Sequence, residues 1–203
     1  MPVLCLYQIG YPSGKELYNR LDTYLKGYLE ELECGAKLLA DEALLTFYTR
    51  EWNRFTAAAK HINHLFRYLN RHWVKREMDE GKKNIYDVYT LHLVRWKQDF
   101  FMHVKESVVT SVLVLVEKRR NGETVDTSQI KSVVDSFVSL GFDENGSTKS
   151  TLEVYRAYFE KPFLRATAAY YRAKSEQTIT VNRVAEYMKK VSYDSTLPDN
   201  KPY

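Results

Sequence analysis

Glycine and proline are scarce in this chain. Eight glycines and five prolines among 203 residues make up about 6% of the total, roughly half of ordinary usage. That shortage excludes an all-β sandwich or barrel, which needs turn residues every ~8–12 positions. Disorder is excluded too, since 44% of the residues are hydrophobic and 14% aromatic, enough to build a core. Cysteine is almost missing. Cys5 and Cys34 form no metal motif, and two thiols in a chain of this size imply a reduced, intracellular setting. No apolar run approaches the ~20 residues of a membrane span. The first 15 residues hold a short apolar stretch with no basic start, so they read as a loop or loose end rather than a signal peptide. Asn145-Gly146-Ser147 matches a glycosylation sequon, but in a reduced compartment it reads as a turn. What remains is a mostly helical globular protein with few tight turns.

Two features stand out against this background. Tyrosine is abundant, at 16 residues. Its polar tip and apolar body suit half-buried positions between helices and at interfaces, and helix packing is the ordinary reading for residues such as Tyr24, Tyr28 and Tyr89. The net charge is +4, and it is not spread evenly. Residues 60–83 hold seven Lys or Arg against three Asp or Glu, which accounts for the whole excess. A basic segment on a neutral body points to one binding face, with a solvated helix face as the plainer alternative.

Apolar residues recur at spacings of three and four along most of the chain, the signature of amphipathic helices. Leu17, Leu21, Tyr24, Leu25, Tyr28, Leu29 and Leu32 predict a helix over 16–33. Ser13 is its cap, with Glu16 completing a capping box, and it stops near Gly35. From Asp41, a good N-cap, to Glu80 there is no Gly or Pro. Forty residues exceed an ordinary helix, which predicts a break near 55–60. The second half then packs Ile62, Leu65, Phe66, Leu69 and Trp73, and Gly81 ends it. Helices follow over 84–104 and over 108–120. The run from Val112 to Val116 has strand propensity, but its spacing and the basic end before Gly122 favour a buried helix. Asp126 or Thr127 caps a helix closed by Gly141. A polar loop over 142–150 leads to a long helix over 151–176, which Pro162 kinks or splits. A last helix covers about 181–191, and the tail over 192–203 has no core pattern. The expectation is a string of about eight helices with short loops.

Catalytic motifs are missing: no GxSxG, Walker loop, GxGxxG or HExxH occurs. His61 and His64 have a metal-capable spacing, yet no Cys or further His follows at finger spacing. A binding face is better supported. On a wheel of about 100° per residue, Ile62, Leu65, Phe66, Leu69 and Trp73 form the core stripe. His64, Tyr68, Arg71, His72 and Lys75 share another face. Tyr and Arg are enriched at interface hot spots. A helical protein-interaction module therefore fits better than a nucleic-acid binder, which calls for more excess charge spread along a groove.

Longer motifs carry a family resemblance. Tyr68-Leu-Asn-Arg-His-Trp-Val-Lys-Arg-Glu77, then Asp79-Glu-Gly-Lys-Lys-Asn-Ile-Tyr-Asp-Val-Tyr89, resemble the N-terminal region of the cullin family, nearest its SCF-type member. Phe47-Tyr-Thr-Arg-Glu-Trp52, residues 91–96, Val116-Glu-Lys-Arg-Arg-Asn-Gly-Glu-Thr124 and Glu186-Tyr-Met-Lys-Lys190 fit the same family. The resemblance runs from about residue 13 to 191. It implies an all-α fold of stacked helical bundles, the cullin repeats, with an incomplete first repeat over 15–83, a second over 84–191, and unmatched ends at 1–14 and 192–203. It implies a non-catalytic scaffold of a ubiquitin ligase, with no cofactor or metal, located in cytoplasm and nucleus. The partner it implies is a BTB/POZ-fold adaptor that carries F-box substrate receptors, not nucleic acid or membrane.

In the family, adaptor contact uses the second and fifth helices of the first repeat. The helix matching the fifth carries Tyr68 and Arg71. The resemblance thus assigns His64, Tyr68, Arg71, His72 and Lys75 to the adaptor. The family's first two helices should precede Lys15, where 14 unmatched residues stand, and the RING-binding region lies beyond the match. The expectation is a scaffold fragment with weakened adaptor binding, no RING partner, and apolar surface exposed over 16–80. The alternatives are a nucleic-acid module using the 60–83 segment, or a truncated decoy that sequesters adaptor.

Overall fold

The computed structural model describes residues 13–142 and 151–181, with side chains through 177. All regular structure in those residues is helical. The chain divides into two units, Met1–Phe159 and Glu160–Tyr203. The helix expected over about 181–191, beyond Val181, the loop expected over 142–150, beyond Phe142, the sequon, Cys5 and both chain ends lie outside the described residues.

Helix α1 spans Gly14–Ala36. The Ser13 side chain caps it by accepting from the Glu16 amide at 3.2 Å. The capping box is only half made, because the Glu16 carboxylate pairs with Arg20 instead, at 2.6 Å. Helix α2 spans Asp41–Leu65. Asp41 is not its N-cap. Ala40 holds that position with no side-chain bond, and Asp41 is the first helical residue, at φ 48°. Asp tolerates this left-handed backbone better than most residues, and with Glu42 it places negative charge at the positive end of the helix dipole.

The break expected near 55–60 falls later, at Phe66 (φ −88°, ψ 16°). Ala57, Ala58 and Ala59 are strong helix formers and give no reason to stop earlier. The bend changes which side chains are buried. Leu69 and Val74 enter the core, whereas Leu65, expected there, is 78% exposed. Helix α3 follows over 67–79, built from Arg67–Leu69, a π turn at Asn70–Val74, and Lys75–Asp79. Gly81 closes it as expected, at φ 75°. The amides of Gly81 and Lys82 bond back to Met78 and Glu77, the two bonds of a Schellman motif.

Two expected helices, over 84–104 and 108–120, are one. Helix α4 covers 88–120 as Val88–Arg95, a π turn at Trp96–Phe101, and Met102–Arg120. No Gly or Pro interrupts it, and Gly122, at φ 91°, ends it with a second Schellman pair. The Val112–Val116 run is helical, as its spacing indicated. Asp126 caps α5, Thr127–Ser139. Helix α6 is the short Glu153–Tyr155, followed by a π turn at Arg156–Glu160. That turn lies just ahead of Pro162, whose ring cannot supply an amide to the preceding turn. In the second unit, α7 spans Lys161–Val181.

The core of the first unit is aromatic and centres on Trp96, which is 0% exposed. Its ring meets Trp52 at 5.3 Å, Phe55 at 5.0 Å, Tyr48 at 6.0 Å and Phe100 at 4.7 Å. Such pairs contribute about 0.5–1.5 kcal/mol each beyond the area they bury. Phe101 extends the cluster to Phe137 of α5, edge to face at 4.8 Å. The Tyr48 hydroxyl and Ser136 Oγ bond at 2.9 Å in the same interior. Helix α1 is tied to α4 by Arg95, which grips both oxygens of Asp22 at 2.5 and 2.9 Å.

His92 is buried in this core, 5.5 Å from the Phe55 ring. Its Nδ1 bonds the Val88 carbonyl at 2.5 Å, and its Nε2 has no hydrogen-bond partner among the described residues. Burial holds the imidazole below its ordinary value of 6.5, against the opposing pull of the Val88 carbonyl and Asp87. The unfolded chain therefore takes up a proton more readily than the folded one. This part of the stability is present above about pH 6.5 and is lost as pH falls through the lowered folded value. Urea unfolding on either side of that pH should show the loss, and His92→Met should flatten it. An unchanged acid slope in the variant would exclude His92 as its source.

Candidate protein-interaction face

The end of α2 and all of α3 are presented by polar ties rather than by apolar packing alone. Asn70, the first residue of the π turn, donates from Nδ2 to Asn63 Oδ1 at 2.7 Å. That bond spans the bend at Phe66. Asn70 Oδ1 accepts from the Val88 amide at 3.0 Å, and Asn63 Oδ1 from the Tyr89 amide at 3.2 Å. Asp87, the N-cap of α4, accepts from the Tyr89 and Thr90 amides at 3.0 and 3.1 Å. The first turn of α4, which would otherwise present open amides, is thus held from α2, from α3 and from its own cap.

On the α1 side, Trp73 packs against Tyr18 at 5.0 Å. A Cβ added to Gly14 would lie 2.7 Å from Trp73 Cγ, so the start of α1 sits directly on this ring. The Tyr18 hydroxyl donates to the Tyr86 carbonyl at 3.1 Å and accepts from the Tyr86 amide at 3.0 Å. Burial pushes its ionisation up to about 12, so it remains a neutral hydroxyl able to do both.

The face itself is open. His64, Tyr68, Arg71, His72 and Lys75 are all exposed, Tyr68 at 76%. The structure brings Tyr68 and His72 together, with ring centroids 4.3 Å apart. His64 lies on the last turn of α2, across the bend from the other four. The π turn lies between Tyr68 and Lys75, so Lys75 is rotated by about one residue step (~100°) from its place on a straight wheel. Leu65 joins the exposed side next to His64. A straight helical wheel places it in the core, and the bend at Phe66 turns it outward. Tyr24, expected to pack between helices, is also exposed, at 66%, although it stacks on Tyr28.

The cations of the basic segment differ in role. Lys82 bridges Glu77 at 2.5 Å and Glu80 at 3.1 Å, and Arg76 contacts the same two acids. The Lys82 ammonium holds the Glu77 carboxyl below its usual range. These charges close the end of α3. Among the described residues, Arg71, Lys75 and His64 take part in no ion pair, which leaves the charges of Arg71 and Lys75 and the hydrogen-bonding capacity of all three for a partner. No group of three His, Cys, Asp or Glu among the described residues is placed to hold a metal ion. None of the described helices is long and apolar enough to cross a membrane.

Comparison with known proteins adds a second line of observation. The family described as the Cullin alpha solenoid domain matches residues 3–194. The chain is 43% identical over 178 residues to Cullin-1 of Dictyostelium discoideum, covering 88% of this chain and 23% of that protein. It is 40% identical to Cullin-1 of Caenorhabditis elegans, over 88% of this chain and 24% of the relative. It is 38% identical to Cell division control protein 53 of Saccharomyces cerevisiae, over 86% and 21%. The chain thus spans under a quarter of the length of these relatives.

Tyr18 is the simplest point at which to test the support of the face. Tyr18→Phe keeps the ring against Trp73 but removes the buried hydroxyl that bonds the Tyr86 carbonyl and amide. A loss of roughly 1–3 kcal/mol in unfolding free energy is expected, measured by denaturant titration. A change below a few tenths would mean that water replaces the hydroxyl.

Proposed function

The chain belongs to the cullin family, and from that premise we propose that it is the adaptor-facing part of an SCF-type ubiquitin-ligase scaffold. Its chemistry is done by others. The scaffold's contribution is to hold a bound substrate at a set distance from the charged ubiquitin-conjugating enzyme, which replaces a slow bimolecular encounter by a local one. The proposed partner is the adaptor that carries F-box substrate receptors, for which the family resemblance gives a BTB/POZ-type fold. The RING subunit belongs to a different region of the scaffold and is not a partner of these residues.

One observation carries this reading. The α3 face joins exposed Tyr68 and His72 with Arg71, which makes no ion pair among the described residues, on a helix whose other sides are tied to α1, α2 and α4. A rigid aromatic flanked by free cations is what an interface anchor requires, because little conformational freedom is lost on binding. The nucleic-acid alternative is less well served, since Arg76 and Lys82 already neutralise Glu77 and Glu80.

Calorimetric titration with purified adaptor tests the proposal. Saturable binding in the micromolar range or tighter is expected, with Tyr68→Ala and Arg71→Ala each weakening it by about tenfold or more. Absence of adaptor binding, together with nucleic-acid binding that weakens steeply with salt, would overturn it.

A further inference from the structure

We propose that Asn63 and Asn70 are positioning residues for the interaction face: together they hold the π turn of α3 and so set the angle between Tyr68 with His72 and Lys75. This rests on the adaptor reading for its consequence in binding, but the geometry stands apart from it.

The two amide orientations are fixed by their surroundings. Backbone amides can only donate, so the side-chain atoms facing Val88 and Tyr89 must be oxygens. Asn70 Nδ2 is then the atom that faces Asn63 Oδ1 and donates to it, at 2.7 Å. Asn63 serves purely as an acceptor here, of two bonds.

Capping α4 explains the bond from the Val88 amide to Asn70 but not the part played by Asn63. Asp87 already accepts from the Tyr89 and Thr90 amides, and its Oδ2 takes the Thr90 hydroxyl at 2.5 Å. The Tyr89 amide therefore has two acceptors. Adding Asn63 changes little for α4, but it ties the end of α2, the start of the π turn and α4 into one junction. The Asn70 carbonyl also closes the turn, accepting from the Lys75 amide five residues on. With its side chain held on both sides, Asn70 keeps the extra residue in the turn. If the turn relaxed to α-helix, the residues after it would rotate by about one residue step (~100°) against Tyr68. Lys75 would then leave its present angle to the Tyr68 and His72 pair.

Solution NMR of the chain with Asn70→Ala and Asn63→Ala, measured with adaptor titration, tests this. In each variant the Lys75 amide should shift its bond from the Asn70 to the Arg71 carbonyl, with helical content kept and adaptor affinity reduced about five- to tenfold. Asn63→Asp, which retains the acceptor, should behave like the parent chain. In a Tyr68→Ala background, Asn70→Ala should add little further loss, since the surface it positions is already gone. A purely structural role would lower thermal stability in every background and leave the π turn unchanged, and that result would overturn the proposal. If Asn70→Ala does not fold, Asn63→Ala and Asn63→Asp carry the comparison alone. If the parent chain binds no adaptor, the functional reading falls, while the bond made by the Lys75 amide still decides the positioning role.

Discussion

Trp96 is the constraint on which the rest of the first unit depends. It lies on α4 inside a π turn, and three aromatic residues of α2 and one of α4 close around it. A regular helix would place Phe100 under Trp96 and turn Phe101 about 100° away. The wider turn brings both phenylalanines into the buried arc, so one helix faces α2 with Trp96 and Phe100 and reaches α5 with Phe101. The 88–120 helix is in this sense an axle, with α1 joined through Asp22 and Arg95, α2 through the rings around Trp96, and α5 through Phe101 against Phe137. Its N-terminal turn then receives the polar ties from Asn63 and Asn70. The orientation of α3 follows from where that axle starts.

The helical class, the caps and the chain reversals could be read from residue type alone, because their physics is local. Ser13, Asp126, Gly81 and Gly122 do in the structure what their chemistry suggests. What could not be read depends on distant partners or has no residue signature. The bend at Phe66 contains neither Gly nor Pro, and packing of Leu69 and Val74 decides it. The three π turns look like ordinary helix in sequence. Treating 84–104 and 108–120 as two helices failed for the same reason, since only the packing of Trp96 and Phe101 shows why the chain continues. The polar junction is the clearest case: Asn63 meets an amide 26 positions away, and nothing near Asn63 in the chain announces it.

The candidate face was partly legible. Its residue types stood out, and all five are exposed. Its shape was not, because a straight wheel contains neither the bend that separates His64 nor the π turn that rotates Lys75. Leu65 moves from core to surface for the same reason. A scaffold that works by distance needs a recognition surface at a fixed angle to its axis, and flexible attachment would forfeit the gain in local concentration. Here the angle is set by a few hydrogen bonds and the Tyr18–Trp73 contact, all of them inward of the surface they aim.

The central claim is that α3 is part of the same rigid body as α2 and α4. Native-state hydrogen exchange reads this directly, since a helix that opens alone exchanges at a lower free energy than the core beneath it. The account predicts that amides of the Asn70–Val74 turn exchange together with those of α4 around Trp96, at a common opening free energy. Exchange of that turn at nearly unprotected rates, with α4 still protected, would contradict it.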